Sequence, residues 1–163
     1  MAVRDVAPSA GNVERLTRRD FFHDVAEELR PLLPESLRGF HSLATRNLLK
    51  LYYGERRLHF EVWANARDNH IEVGLHFEDG PESTERLLAF FNRHIVELKH
   101  ELGADLELER WTNSWGHLYQ LVPYQPLTDS LTRRVAALLA RQVVVLQPLL
   151  EDADRRSRPA RRD

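Results

Sequence analysis

With 163 residues, 42% of them hydrophobic and 29% charged, and a formal net charge of −2, the chain has the composition of one globular domain with room for a real core. No apolar run approaches the roughly 20 residues that span a bilayer, and the absence of cysteine excludes disulfides, thiolate metal sites and cysteine nucleophiles. The near-neutral charge offers no bulk attraction for nucleic acid, and the arginines are spread along the chain, with only Lys50 and Lys99 as lysines.

Residues 1–15 hold Pro8, Ser9, Gly11 and Asn12 without periodicity and read as a flexible leader. They contain no apolar stretch of the kind a secretory signal carries, so the expected compartment is the cytoplasm. The stretch LTRRDFF then opens a helix: Thr17 is placed to cap, Asp20 sits where a capping-box acid belongs, and Leu16 can staple onto Phe21. Phe21, Phe22, Val25, Leu29 and Leu33 follow at helical spacing until Pro31 and Pro34 end the run. Residues 35–46 fit either a short helical turn or an extended approach to a sheet.

From Asn47 the apolar period drops to two. Leu49, Leu51 and Tyr53 share one side of a strand, with Leu48, Lys50 and Tyr52 on the other. After a turn at Gly54, the second strand turns Leu58, Phe60, Val62 and Ala64 inward, and the third turns Ile71, Val73, Leu75 and Phe77 inward. A two- or four-residue loop near Arg67-Asp68 pairs Trp63 with Glu72, Glu61 with Gly74 and His59 with His76. A one-residue slip would set core against surface, which burial opposes. Asp79-Gly80-Pro81 opens a second helix, with Leu87, Leu88, Phe91, Ile95, Leu98 and Leu102 as its stripe and Gly103 as its stop. Strands at 106–111 and 117–122 flank a turn at Asn113-Ser114. Glu107, Glu109 and Trp111 lie on one face of the first of these. Thr128 or Asp129 caps a last helix reaching about Leu150, and residues 151–163 read as a disordered, arginine-rich tail.

These elements predict a single α+β domain over 16–150. It has two layers, a five-stranded antiparallel sheet, the order α-βββ-α-ββ-α, and helices mainly on one face. Phosphate-loop, dinucleotide, hydrolase-elbow and H-E-x-x-H signatures are all absent from the sequence. The acids Glu61, Glu107 and Glu109 have no expected lysine neighbour, so a metal-dependent nuclease triad is not anticipated.

The face opposite the inward set carries Tyr52, His59, Glu61, Trp63, Glu72 and His76, joined by Trp111 of the later strand. Aromatic anchors among polar side chains are typical of protein interfaces, and this is the expected contact face. Val143, Val144 and Leu146, on a stretch apolar on more than one side, are the expected self-association seam of a homodimer. The partner is thus a protein or a second copy, with nucleic acid a further option through the arginine-rich tail and no membrane partner. The chain is read as a non-enzymatic binding domain without cofactor or metal. The alternatives are an accessory nucleic-acid-binding role and a metal-dependent enzyme in which His59 and His76 face each other near Glu61 or Glu78. Paired carboxylates among Glu61, Glu72, Glu107 and Glu109 would supply acid-base chemistry if they shared a cleft. Base stacking on Trp63, Trp111, Trp115, Tyr52 or Tyr119 is opposed by the surrounding glutamates, which repel phosphate.

The element order resembles that of type III secretion chaperone-like domains over roughly 17–150, at the level of topology. That resemblance implies a small cytoplasmic protein, often dimeric, that binds polypeptides without catalysis. The stretch ELGADLELERW (101–111), with the later LQPLLE, is also similar to an uncharacterised bacterial domain appended to restriction-nuclease-like proteins, which implies an accessory role.

Overall fold

The structure, a computed structural model, describes residues 13–157. Helix α1 (Arg18–Leu32) begins as its sequence dictates. The Thr17 hydroxyl oxygen accepts the Asp20 amide at 3.1 Å, satisfying one of the amides left over at a helix start. A single 3-10 turn at Glu35–Leu37 follows, and then strand β1 (His41–Ala44). The segment that fitted either a turn or a strand therefore contains one of each. Strand β1 is exposed at every position, so burial imposes no alternation on its residues.

Strands β2 (Leu48–Tyr52), β3 (Leu58–Asn65), β4 (His70–Phe77), β5 (Glu107–Arg110) and β6 (Gly116–Pro123) complete an antiparallel sheet of six strands, not five. The strand order is β1-β2-β3-β4-β6-β5. The β3–β4 register is the expected one, with His59 opposite His76, Glu61 opposite Gly74 and Trp63 opposite Glu72. Strand β6 lies against β4 and sets His76 opposite His117, leaving β5 at the edge.

The second predicted helix is two, α2 (Pro81–Arg93) and α3 (Ile95–Leu102), because His94 leaves the helical region at φ −105° and ψ 3°. The element order is therefore α-ββββ-αα-ββ-α. Helix α4 (Asp129–Ser157) is capped by Thr128, whose hydroxyl accepts the Leu131 amide at 3.3 Å. It continues past residue 150 through Pro148, so residues 151–157, expected in a disordered tail, are helical. Buried Ala153 and an Arg86 guanidinium donating to the Ala153 carbonyl at 3.0 Å hold this last part against α2. Residues 158–163, the rest of the expected tail, and residues 1–12 of the expected leader lie outside the described residues.

Inside, Phe60, Val62, Ala64, Ile71, Val73, Leu75 and Phe77 point as predicted into one core, where Phe21, Phe22, Val135 and Leu139 of the helices meet them. Val143 and Leu146 also belong to this core, at 1% and 0% exposure. The apolar excess of α4 is thus covered within the monomer, and of the expected self-association seam only Val144 is exposed. A buried polar link crosses the layers: the Gln142 amide donates to the Val73 carbonyl at 2.9 Å and to Gln120 Oε1 at 3.1 Å. Helix α1 packs on α4 and β1, α4 on β4, and α2 on β4 and β5. No helix among the described residues is long and apolar enough to cross a membrane.

Candidate functional site

Period-two alternation sends Lys50 of β2, His59, Glu61 and Trp63 of β3, Glu72 and His76 of β4, and His117 and Tyr119 of β6 to the face away from the apolar core set. Glu78 follows the end of β4 and is tied to β3 by its amide, which donates to the Arg57 carbonyl at 2.8 Å. The imidazoles and central carboxylates of this face are not solvated. His59, Glu61, Glu72, His76 and His117 are all buried, and His59 has no exposed surface at all. Large neighbours on adjacent strands shield one another across the pleat, as cross-strand spacing allows.

Two linked groups make up the cluster. In the first, the Glu72 carboxylate is central: Oε1 accepts from His76 Nε2 at 2.8 Å and from His117 Nδ1 at 2.9 Å. Burial alone would raise the Glu72 pKa. The hydrogen bonds from His117 and His76, and the charge of both rings, outweigh it and bring the carboxyl down to about 2. His117 Nε2 lies 3.6 Å from Glu109, whose carboxylate also accepts the Tyr119 hydroxyl at 2.9 Å. Partial burial, followed by that bond and the Glu109 charge, pushes the Tyr119 phenol up to about 12.

The second group is His59, Glu61, His76 and Glu78, each of which brings a ligand-type atom within 4.8 Å of the others. His59 Nδ1 is fixed on the Arg56 carbonyl at 2.9 Å, and a carbonyl can only accept, so Nδ1 carries a proton. The other ring nitrogen, Nε2, faces Glu61 Oε2 at 3.2 Å and Glu78 Oε1 at 3.9 Å. Lys50 sits beside both acids, 3.9 Å from Glu61 and 3.5 Å from Glu78. Burial would raise Glu61, but the His59 hydrogen bond and the charges of His76, His59 and Lys50 hold it below the ordinary carboxyl value. The expectation that Glu61 and Glu107 have no lysine neighbour is therefore wrong, because β2 pairs Lys50 directly with Glu61 and Lys99 lies 3.5 Å from Glu107.

Beside the cluster runs a row of indoles. Trp63 and Trp111 have ring centroids 6.3 Å apart, Trp111 and Trp115 lie at 6.0 Å, and Trp111 stacks on His117 at 5.5 Å. Trp111 and Trp115 remain 48% and 42% exposed, and Leu121 and Leu43 are exposed too. Tyr52 stacks on His41 at the β1–β2 edge, away from this row. Of the seven contact-face residues expected from the sequence, His59, Glu61, Glu72 and His76 lie in the cluster, Trp63 and Trp111 flank it, and Tyr52 shares the Lys50 face of β2. His59, Glu61, Glu72 and His76 are buried inside the face and do not present themselves at its surface.

His117 and Lys50 were missed as members of the cluster. Strand alternation in HLYQLV does place His117, Tyr119 and Leu121 together, but the polar Gln120 on the inner side obscured which face was which. A cleft of about 570 Å³ opens elsewhere, lined by Tyr53, Glu55, Leu58, Gln147 and Glu151 among others, and takes in none of the clustered histidines. Compared with family models, curated proteins and solved structures, the chain has no match.

Proposed function

We propose that the chain is a non-enzymatic binding module that docks a partner polypeptide on the open face of its sheet. The observation that carries this reading is the indole row. Trp63, Trp111 and Trp115 form one continuous aromatic surface, half exposed at two of its three members and seated on a buried, hydrogen-bonded polar floor. Aromatic anchors of this kind supply most of the energy of protein interfaces, and a rigid support reduces the ordering cost of binding.

Charge selects the partner. Glu61, Glu72, Glu78, Glu107 and Glu109 belong to this face or its margin, where Lys50 lies beside Glu61 and Glu78 and Lys99 beside Glu107. Such a surface repels phosphate and suits a segment that presents apolar and basic side chains. A self-complementary dimer through α4 has lost its support, since Val143 and Leu146 lie in the core. Catalysis by the carboxylates is also disfavoured. Glu72 is held ionised by two imidazoles, and Glu61, although close to Glu78, is held below the ordinary carboxyl value, so neither is kept protonated to serve as an acid.

The test is affinity chromatography on wild type and Trp111→Ala, followed by reconstitution of any recovered partner from purified components. The expected partner binds the wild type in a salt-sensitive manner and binds Trp111→Ala at least about tenfold more weakly. A reconstituted partner that binds both proteins equally, or a salt-sensitive complex with duplex DNA or RNA in place of a protein, contradicts the reading.

A further inference from the structure

The second group of the cluster presents an electrostatic problem. His59 Nδ1 gives its proton to the Arg56 carbonyl, so a neutral His59 ring turns the lone pair of Nε2 toward two carboxylates. Lone pair against carboxylate is repulsive, and in a site this buried little water screens it. Only a positive ion between them, a proton or a metal, makes the contact attractive. The Lys50 ammonium helps from the side, at 3.9 Å from Glu61 and 3.5 Å from Glu78, but does not stand between His59 and either acid by any contact of its own.

We propose that His59, Glu61, His76 and Glu78 form a binding site for one zinc ion. Two imidazoles and two carboxylates are a full tetrahedral donor set for Zn²⁺, which takes nitrogen and oxygen at about 2.0–2.2 Å. Ligands at that radius on a tetrahedron stand roughly 3.3 Å apart. His59 Nε2 lies 3.2 Å from Glu61 Oε2 and 3.9 Å from Glu78 Oε1, and all four ligand atoms fall within 4.8 Å, so closing on an ion needs only small side-chain movements. Two carboxylates and one divalent ion sum to zero among the ligands, with the Lys50 ammonium beside them at the margin of the site.

Both rings have the outer support that metal-binding histidines need. His59 is oriented through Nδ1 by the Arg56 carbonyl, and His76 is anchored by the Glu72 carboxylate at 2.8 Å. Imidazole nitrogen favours zinc over calcium and magnesium, which prefer six or more oxygens. The four residues come from β3, β4 and the residue just after β4, so the ion would pin one hairpin. With four protein ligands the site is closed, and its role is to stiffen the floor under the indole row, not to activate water. The inference stands independently of the docking partner.

The experiment uses untagged full-length protein, stripped with EDTA and titrated with zinc by calorimetry. Cobalt substitution follows, to read geometry from the visible spectrum. Glu78 is only partly buried, so Glu78→Gln serves as the variant that keeps the fold, checked by circular dichroism, with His59→Gln beside it. The expected result is one zinc per chain, a higher melting temperature with zinc and intense tetrahedral cobalt bands. Glu78→Gln and His59→Gln should each weaken binding by at least about tenfold, while His117→Gln, which reaches the site only through Glu72 and His76, weakens it by less. The proposal is overturned if the wild type takes up no stoichiometric zinc, if Glu78→Gln binds like the wild type, or if a folded His117→Gln loses the ion.

Discussion

Replacing Glu72 with glutamine removes one charge from the centre of the sheet and leaves a side chain of nearly the same shape. In the metal-free protein Glu72 Oε1 accepts from His76 and His117 at 2.8 and 2.9 Å, and the residue is 5% exposed. Two routes give the size of the effect. A hydrogen bond to a charged group contributes about 1.5–3 kcal/mol, and reducing two of them to neutral bonds costs roughly 2–3 kcal/mol in total. A carboxyl pKa brought from 4.5 to about 2 corresponds to roughly 3 kcal/mol of preference for the ionised form in the folded state. The sign follows from the lowered pKa. The contribution is complete above about pH 4.5, where the unfolded carboxyl is ionised, and drains away as pH falls toward about 2. Urea unfolding of wild type and Glu72→Gln in EDTA, from about pH 7 to about pH 2.5, measures both consequences. At neutral pH the variant should be roughly 2–3 kcal/mol less stable, and the gap should narrow through the acid range. A gap below about 0.5 kcal/mol at pH 7, or one that does not change with acid, refutes the reasoning.

Gly74 faces Tyr119 across the β4–β6 ladder, and a Cβ there would stand 2.5 Å from the Leu118 carbonyl oxygen and 2.8 Å from Tyr119 Cα. Both are backbone atoms, so Gly74→Ala should lower stability by about 2–3 kcal/mol in chemical denaturation. Gln142→Leu removes the donors to Val73 and Gln120 and should cost about 2 kcal/mol by the same assay. Tyr53 donates to the Leu37 carbonyl at 2.6 Å, and its burial, then the Glu151 charge, outweigh Arg30 to push the phenol up to about 12. Because that pKa is raised, the contribution of Tyr53 is full below about pH 10 and is lost as pH rises toward about 12. Tyr53→Phe should flatten the loss of stability over that range. In sedimentation velocity the chain should run as a monomer, because Val143 and Leu146, two of the three α4 residues that looked free to pair, are already covered.

The hairpin was legible because a buried face leaves little freedom of register. Phe60, Val62, Val73 and Leu75 had to point one way, and His59 then had to meet His76. Strand β1 was not legible, since HSLA is exposed at all four positions and nothing selects an alternation there. The break at His94 was hidden for the opposite reason. Ile95, Leu98 and Leu102 continue the α2 stripe in phase, so periodicity alone shows one helix. The apolar Val143–Leu146 stretch could have meant a dimer or a monomer core, and only the packing of α4 on the sheet decides between them. The burial of the polar face was likewise out of reach. It depends on β6 returning beside β4 and bringing His117 to Glu72, a pairing of strands 45 residues apart in sequence.

Proton positions on the three clustered rings test the account most directly. Long-range proton–nitrogen NMR on histidine-labelled, EDTA-treated protein should show a proton on Nδ1 of His59, on Nδ1 of His117 and on Nε2 of His76, each slow to exchange with water. Rings in the default Nε2-protonated form with rapid exchange, at His59 and His117 alike, would mean that no buried imidazole–carboxylate floor exists on this face.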